Sequence, residues 1–203
     1  MSAGKPARTI VIGSGNRDKA AELRVLLQNT NWVVKGLGEF DPIAEPVEDG
    51  DTFEANALLK ARYYAVSTGH PAVADDSGIE VDALGGRPGI YSARYAGEGC
   101  SYADNNRKLL DELSRVPAPK RGARFVCCAA FVDGNGREHV VRGTVEGRVA
   151  NAPRGANGFG YDPLFISEGS EQTFGELAPQ AKHAISHRGR AFRELAKYLA
   201  QLP

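Results

Sequence analysis

Four stretches of this 203-residue chain hold residue types that handle phosphate, metal ions and a heteroaromatic base. The first is Ser14-Gly15-Asn16-Arg17-Asp18-Lys19, which follows the β-branched run Thr9–Ile12 and precedes a helical pattern. A helix N-terminus offers unsatisfied N–H groups and partial positive charge, so it suits an anion. The familiar phosphate motifs fail when counted from Gly13. The dinucleotide fingerprint needs glycine where the chain has Asp18, and Walker A needs glycine, lysine and a hydroxyl where it has Asp18-Lys19-Ala20. What remains is a hydroxyl, an amide and an ammonium (Ser14, Asn16, Lys19) spaced to surround one anion. The plain alternative is a capped helix with a solvated lysine.

The second stretch is acidic. Residues 39–54 carry seven acids and no Lys or Arg, and Asp75-Asp76-Ser77-Gly78 follows further on. A hard cation such as Mg²⁺ takes oxygen ligands, usually one or two carboxylates with substrate phosphates and water. Adjacent carboxylates repel, so a cation or lysine is expected beside Asp75 and Asp76. An Asp-rich turn is the alternative. The third stretch, Phe159-Gly160-Tyr161-Asp162-Pro163, sets aromatics on a glycine-rich loop, where a ring can stack on a base and a carboxylate can accept from ring N–H groups. A core Phe and Tyr beside a proline turn is the alternative. The fourth runs from Lys182 through His187 and Arg188. Residues 182–197 hold five Lys/Arg against one acid, Glu194, a balance that suits phosphate or an electron-rich base edge. Arg190, Arg193 and Lys197 read as the solvated face of the last helix.

The elements that would position these residues are readable from periodicity. Ala20, Leu23, Leu26 and Leu27 mark one helix face, and Trp32 to Val34 a second strand. Thr52 is a plausible N-cap for a helix to about Ser67, ended by Gly69 and Pro71. Ala72 to Ala74 reads as a short strand cut by Asp75-Asp76-Ser77-Gly78. Ser101 and Asp104 make a capping pattern for a helix with Leu109, Leu110 and Leu113. Phe125–Val132 and Glu138–Val149 flank Asp133-Gly134-Asn135-Gly136, a hairpin signal. A C-terminal helix carries Phe192, Leu195, Ala196 and Leu199. Helices interspersed with strands predict an α/β fold with a mixed central sheet in one domain, residues 1–203.

Composition removes several classes. Lys+Arg and Asp+Glu are both 25, so the formal net charge is zero, which argues against a nucleic-acid coat protein. The longest apolar run, Phe125–Val132, is too short to span a bilayer, and the N-terminus carries no secretory pattern. Three cysteines without C-x-x-C or zinc spacing predict reduced thiols and a cytoplasmic protein.

Taken in order, the motifs resemble the inosine/xanthosine triphosphate pyrophosphatase family, house-cleaning enzymes for deaminated purine nucleotides. The resemblance is carried by Ser14-Gly15-Asn16-x-x-Lys19, Thr52-Phe53-x-x-Asn56-Ala57-x-x-Lys60-Ala61, Ala74-Asp75-Asp76-Ser77-Gly78, Leu84-Gly85-Gly86-x-Pro88-Gly89-x-x-Ser92-Ala93-Arg94, Gly158-Phe159-Gly160-Tyr161-Asp162-Pro163 and Ile185-Ser186-His187-Arg188. It implies two lobes with an elongated sheet and a nucleotide cleft between them, a homodimer, and Mg²⁺-dependent hydrolysis of ITP, dITP and XTP to the monophosphate and pyrophosphate. Carried over by position, Ser14, Gly15, Asn16, Arg17, Asp18, Lys19 and Lys60 hold the triphosphate. Asp76 is general base and metal ligand, Glu48 supplies the other metal carboxylate, and Ser77 contacts substrate. Phe159, Gly160, Tyr161, Asp162, Lys182, His187 and Arg188 form the base and sugar side. One departure stands out: many relatives have Glu before the Asn of the Thr-Phe motif, where this chain has Ala55. A non-catalytic nucleotide sensor is the competing class, but a sensor needs no base such as Asp76. A phosphatase releasing orthophosphate is weakened by the lack of a D-x-D, G-x-S-x-G or cysteine nucleophile pattern.

Overall fold

The computed structural model describes residues 7–15 and 17–202. In chain order the elements are β1 (Arg8–Ile12), α1 (Arg17–Leu27), β2 (Trp32–Gly36), α2 (Phe53–Thr68), β3 (Ala72–Val81), α3 (Tyr102–Glu112), β4 (Gly122–Val132), β5 (Glu138–Val149), β6 (Phe165–Ser167), α4 (Pro179–Ile185) and α5 (His187–Gln201). The six strands form one sheet in the order β2-β1-β3-β4-β5-β6. β1 runs parallel to β2 and β3, whereas β5 and β6 are antiparallel, so the sheet is mixed and the fold is α/β. The chain divides into two compact units. The first comprises Met1–Asp76, Cys128–Arg142 and Ala191–Pro203, and the second Ser77–Cys127 and Gly143–Arg190.

In the first unit, Ile10, Val11 and Ile12 of β1 are fully buried, as are Ala72, Val73 and Ala74 of β3. α1 buries Ala20, Leu23 and Leu27, the apolar stripe its spacing predicts. α5 buries Phe192, Leu195 and Leu199, and the Leu199 carbonyl accepts the Trp32 indole N–H at 3.0 Å. α2 starts where Thr52 accepts from the Ala55 N–H at 3.0 Å and stops at Gly69, which is left-handed (φ 67°). Gly13 is dictated by a close approach. A Cβ there would lie 2.3 Å from Cδ2 of Tyr64, whose ring is buried on α2. Gly13→Ala is therefore expected to cost about 2–3 kcal/mol through overpacking, a fall in Tm of about 5–10 °C for a chain of this size. Thermal melting checks this, and an unchanged Tm would show that the ring yields freely.

The second unit packs Ile79, Val81, Leu109, Leu113, Phe125, Leu164, Phe165 and Phe174 into one cluster. The Phe125 ring lies 4.5 Å from Phe165 and 5.8 Å from Phe174, centroid to centroid. Ser101 and Asp104 form a reciprocal capping box at the start of α3.

One sequence expectation is corrected. Asp75–Gly78 does not break the strand; β3 runs unbroken from Ala72 to Val81. The two carboxylates stay in extended backbone because each meets a lysine, as described below. Lys182 precedes the last helix, inside a separate short helix, α4, with Pro179 in its first turn. No disulfide joins the described cysteines, and Cys127 and Cys128 are buried. Among the described residues, no helix is long and apolar enough to cross a membrane.

Candidate active site

Successive residues of a strand point to opposite faces. Asp75 and Asp76 follow this rule, and each finds a different ammonium. Asp75, whose side chain is 1% exposed, pairs with Lys19 of α1 at 2.6 Å. Asp76 pairs with Lys60 of α2 at 3.2 Å, and the same Nζ donates to Glu48 at 3.0 Å. Two helices that precede the strand, α1 and α2, thus offset the repulsion that two neighbouring carboxylates would otherwise suffer.

The Glu48–Lys60–Asp76 cluster lies wholly in the first unit. The Lys60 and Asp76 side chains are 12% exposed and Glu48 is 33% exposed. Burial pushes the Asp76 carboxyl above the ordinary carboxylate range, with Lys60 opposing and Glu48 adding to the shift. Burial pulls the Lys60 ammonium down, but the charges of Asp76 and Glu48 outweigh it and hold Lys60 above its ordinary value. Asn56 completes the cluster. Fully enclosed on α2, it accepts from the Gly50 N–H at 2.8 Å and donates to Asp76 Oδ2 at 3.2 Å. It ties the acidic loop to the carboxylate and, with Lys60 on Oδ1, fixes the carboxylate's orientation. The sequence showed Asn56 within a motif, but nothing local revealed its partner twenty residues on.

These residues fit a hard divalent cation. Glu48 and Asp76 converge on one positive group through oxygens alone, the donor set that Mg²⁺ shares with substrate phosphates and water. Among the described residues, no group of three or more His, Cys, Asp or Glu could hold a metal by itself. Glu54 is exposed in the first turn of α2 beside Ala55, so Glu48 is the carboxylate brought to Lys60. Ser14 is half-buried and Gly15 exposed ahead of α1. Asn16 lies outside the described residues, as do the side chains of Arg17 and Asp18. Lys19, in the first turn of α1, places its ammonium on Asp75. Ser77 continues β3, half-buried.

The second unit holds the other predicted residues. The loop after β5 turns through Gly158 (φ 78°) and Gly160 (φ 61°), both in the left-handed region. Asp162 is 2% exposed; its Oδ2 accepts from the Phe159 N–H at 2.7 Å and pairs with Lys182. A Cβ on Gly158 would collide with that oxygen, so the turn requires glycine. The Phe159 ring is left 42% exposed, with Lys182 Nζ at 4.6 Å and Arg188 Cζ at 5.4 Å from its centroid. Phe159, Asp162, Lys182 and Arg188 therefore form one cluster, an aromatic surface flanked by two cations. Tyr161 and His187 pack inward instead. Tyr161 is buried with its hydroxyl on the Ser92 carbonyl at 3.0 Å, and that burial pushes the hydroxyl up. The His187 ring stacks on Phe125 at 4.7 Å. Tyr102 of α3, which no motif singled out, brings its ring to 6.4 Å from Phe159.

The chain is 48% identical over 196 residues to a dITP/XTP pyrophosphatase of Nocardia farcinica, covering 95% of each chain. It is 50% identical over 193 residues to a dITP/XTP pyrophosphatase of Nitratidesulfovibrio vulgaris, covering 92% of this chain and 93% of that one. Among solved structures it is similar to a HAM1 protein from Coxiella burnetii, with TM-score 0.90 and 40% identity over 96% of this chain and all of the other. The sequence profile of the Ham1 family matches residues 10–198. With the carboxylate–lysine cluster and the Phe159 cluster both inside that span, the chain belongs to the Ham1 family.

Proposed function

We propose that this protein hydrolyses deaminated purine nucleoside triphosphates, dITP, ITP and XTP, to the nucleoside monophosphate and pyrophosphate, with Mg²⁺ as cofactor. The observation that carries the proposal is Asp76: a largely buried carboxylate fixed by Asn56 and Lys60, with Glu48 on the same ammonium. The activity named for the relatives above supports it. Water adds to the α-phosphorus, the bond to the bridging oxygen breaks, and pyrophosphate leaves with the electron pair. Asp76 orients the water and takes its proton, a task suited to a carboxylate whose proton affinity burial has raised. Lys19 and Lys60 offset phosphate charge, and the N-terminus of α1 contributes N–H donors. When bound, Mg²⁺ would be held by Glu48 and Asp76 and would neutralise charge on the phosphate oxygens. In the second unit, Phe159 presents a stacking face, and Lys182 and Arg188 present donors to an electron-rich purine edge.

Phosphorus NMR of the reaction with ITP tests the bond cleaved. IMP with pyrophosphate is the expected outcome. IDP with orthophosphate as first products would overturn the pyrophosphatase reading and leave a phosphatase.

A further inference from the structure

The loop that presents Phe159 is pinned from both sides. Asp162 holds the Phe159 N–H, and Asn106 of α3 donates its Nδ2 to the Gly160 carbonyl at 3.0 Å. Asn106 is 8% exposed, and its Oδ1 is buried with no hydrogen-bond partner among the described residues. The amide orientation is set by Gly160, because the reverse would face oxygen with oxygen. A buried acceptor without a donor is unfavourable, and an apolar side chain of similar volume would remove that penalty. The orphaned oxygen is thus a cost that accompanies the bond to Gly160.

What the amide holds is the central peptide of the turn that the Asp162 N–H closes on the Phe159 carbonyl at 3.2 Å. Gly160 sits at φ 61° with no side chain to anchor it. Its peptide would rotate easily once its carbonyl was released, and the half-exposed Phe159 ring would lose its fixed aspect toward Lys182 and Arg188. Tyr102, one helical turn before Asn106 and so on the same face of α3, lies against the same ring. The helix thus approaches this loop with a strut beneath and an aromatic beside it.

We propose that Asn106 is a positioning residue for base selection: through the Gly160 carbonyl it fixes the Phe159 platform and so sets discrimination among purines. This rests on the proposed function above. It extends that reading to α3, which carries none of the sequence motifs assigned to the site.

The test compares wild type with Asn106→Leu and Asn106→Ala, reading kcat/KM on dITP, XTP and dATP together with Tm. Asn106→Leu, which loses the bond to Gly160 and the orphaned oxygen together, is expected to melt near the wild-type Tm while the dITP/dATP ratio falls by about tenfold. Asn106→Ala, free of any overpacking at the site, should lose the ratio similarly. A folded variant with the wild-type ratio overturns the inference. So does an equal loss on all three nucleotides, which is what a merely structural role would produce. A wild-type enzyme that shows no preference among the three overturns the functional reading, and the Asn106 inference falls with it.

Discussion

Asp76→Asn is expected to lower kcat on dITP or XTP by at least about 10²-fold, the usual scale for losing a general base. The amide keeps the size of the carboxylate but cannot take a proton at neutral pH. Lys60 keeps its bond to Glu48, but the new amide has one oxygen for two donors, Asn56 and Lys60, so a small fall in Tm is expected while the fold survives. Circular dichroism and Tm close to wild type, alongside the loss of turnover, would separate chemistry from folding. The neighbouring substitution Asp75→Asn makes the contrast. It removes the partner of Lys19 at an almost fully enclosed position, so it should act more on stability and less on kcat. Near-wild-type turnover by a folded Asp76→Asn enzyme would remove Asp76 from the catalytic role.

The second large effect is in substrate choice. Hypoxanthine and xanthine carry an acceptor at O6 and a proton at N1; adenine carries an amine and no N1 proton. Donors aimed at O6 go unpaired against adenine, and discrimination of this kind can reach about 10⁴-fold. The wild-type enzyme is therefore expected to prefer ITP and XTP strongly over ATP. A smaller preference is expected over GTP, which shares O6 and the N1 proton. Lys182 and Arg188 are the donors that flank Phe159, but they are not equivalent. Lys182 is held by buried Asp162, so its removal would also leave a buried carboxylate without its cation. Arg188→Ala is the cleaner test. It should lose about 10- to 100-fold more kcat/KM on ITP than on ATP, the worth of one charge-assisted hydrogen bond. Equal losses on both would make Arg188 a phosphate or packing residue, leaving the pyrophosphatase reading in place.

His187 shows how motif position leaves side-chain direction open. It stands beside Arg188 in a basic stretch that the resemblance assigns to the base side, and its ring stacks on Phe125, a member of the apolar cluster of its unit. Adjacent residues at the start of a helix point about a quarter-turn apart, so one can flank Phe159 while the next faces the core. Asp75 and Asp76 divide in the same way. The pair looks like a turn because Asp favours turns, yet the strand continues, since Lys19 and Lys60 supply the opposite charges.

By itself the sequence determined whatever depends on neighbours a few residues apart. The Thr52 cap, the Ser101–Asp104 box, the Gly69 stop, the apolar stripes of α1 and α5 and the turn after β4 are all satisfied within a turn or two of chain, so residue type and spacing suffice. The chemical character of the site was legible too, because a carboxylate, an ammonium or an exposed-loop aromatic keeps its chemistry wherever it lies. Only the tertiary structure decided the pairings: Glu48 rather than Glu54 with Lys60, Lys19 with Asp75, Asn56 with Asp76 and Asn106 with Gly160. Each joins segments 12 to 56 residues apart. Which distant groups meet depends on strand order and helix packing. Those are set by burying the whole apolar surface at once, and no local pattern encodes them.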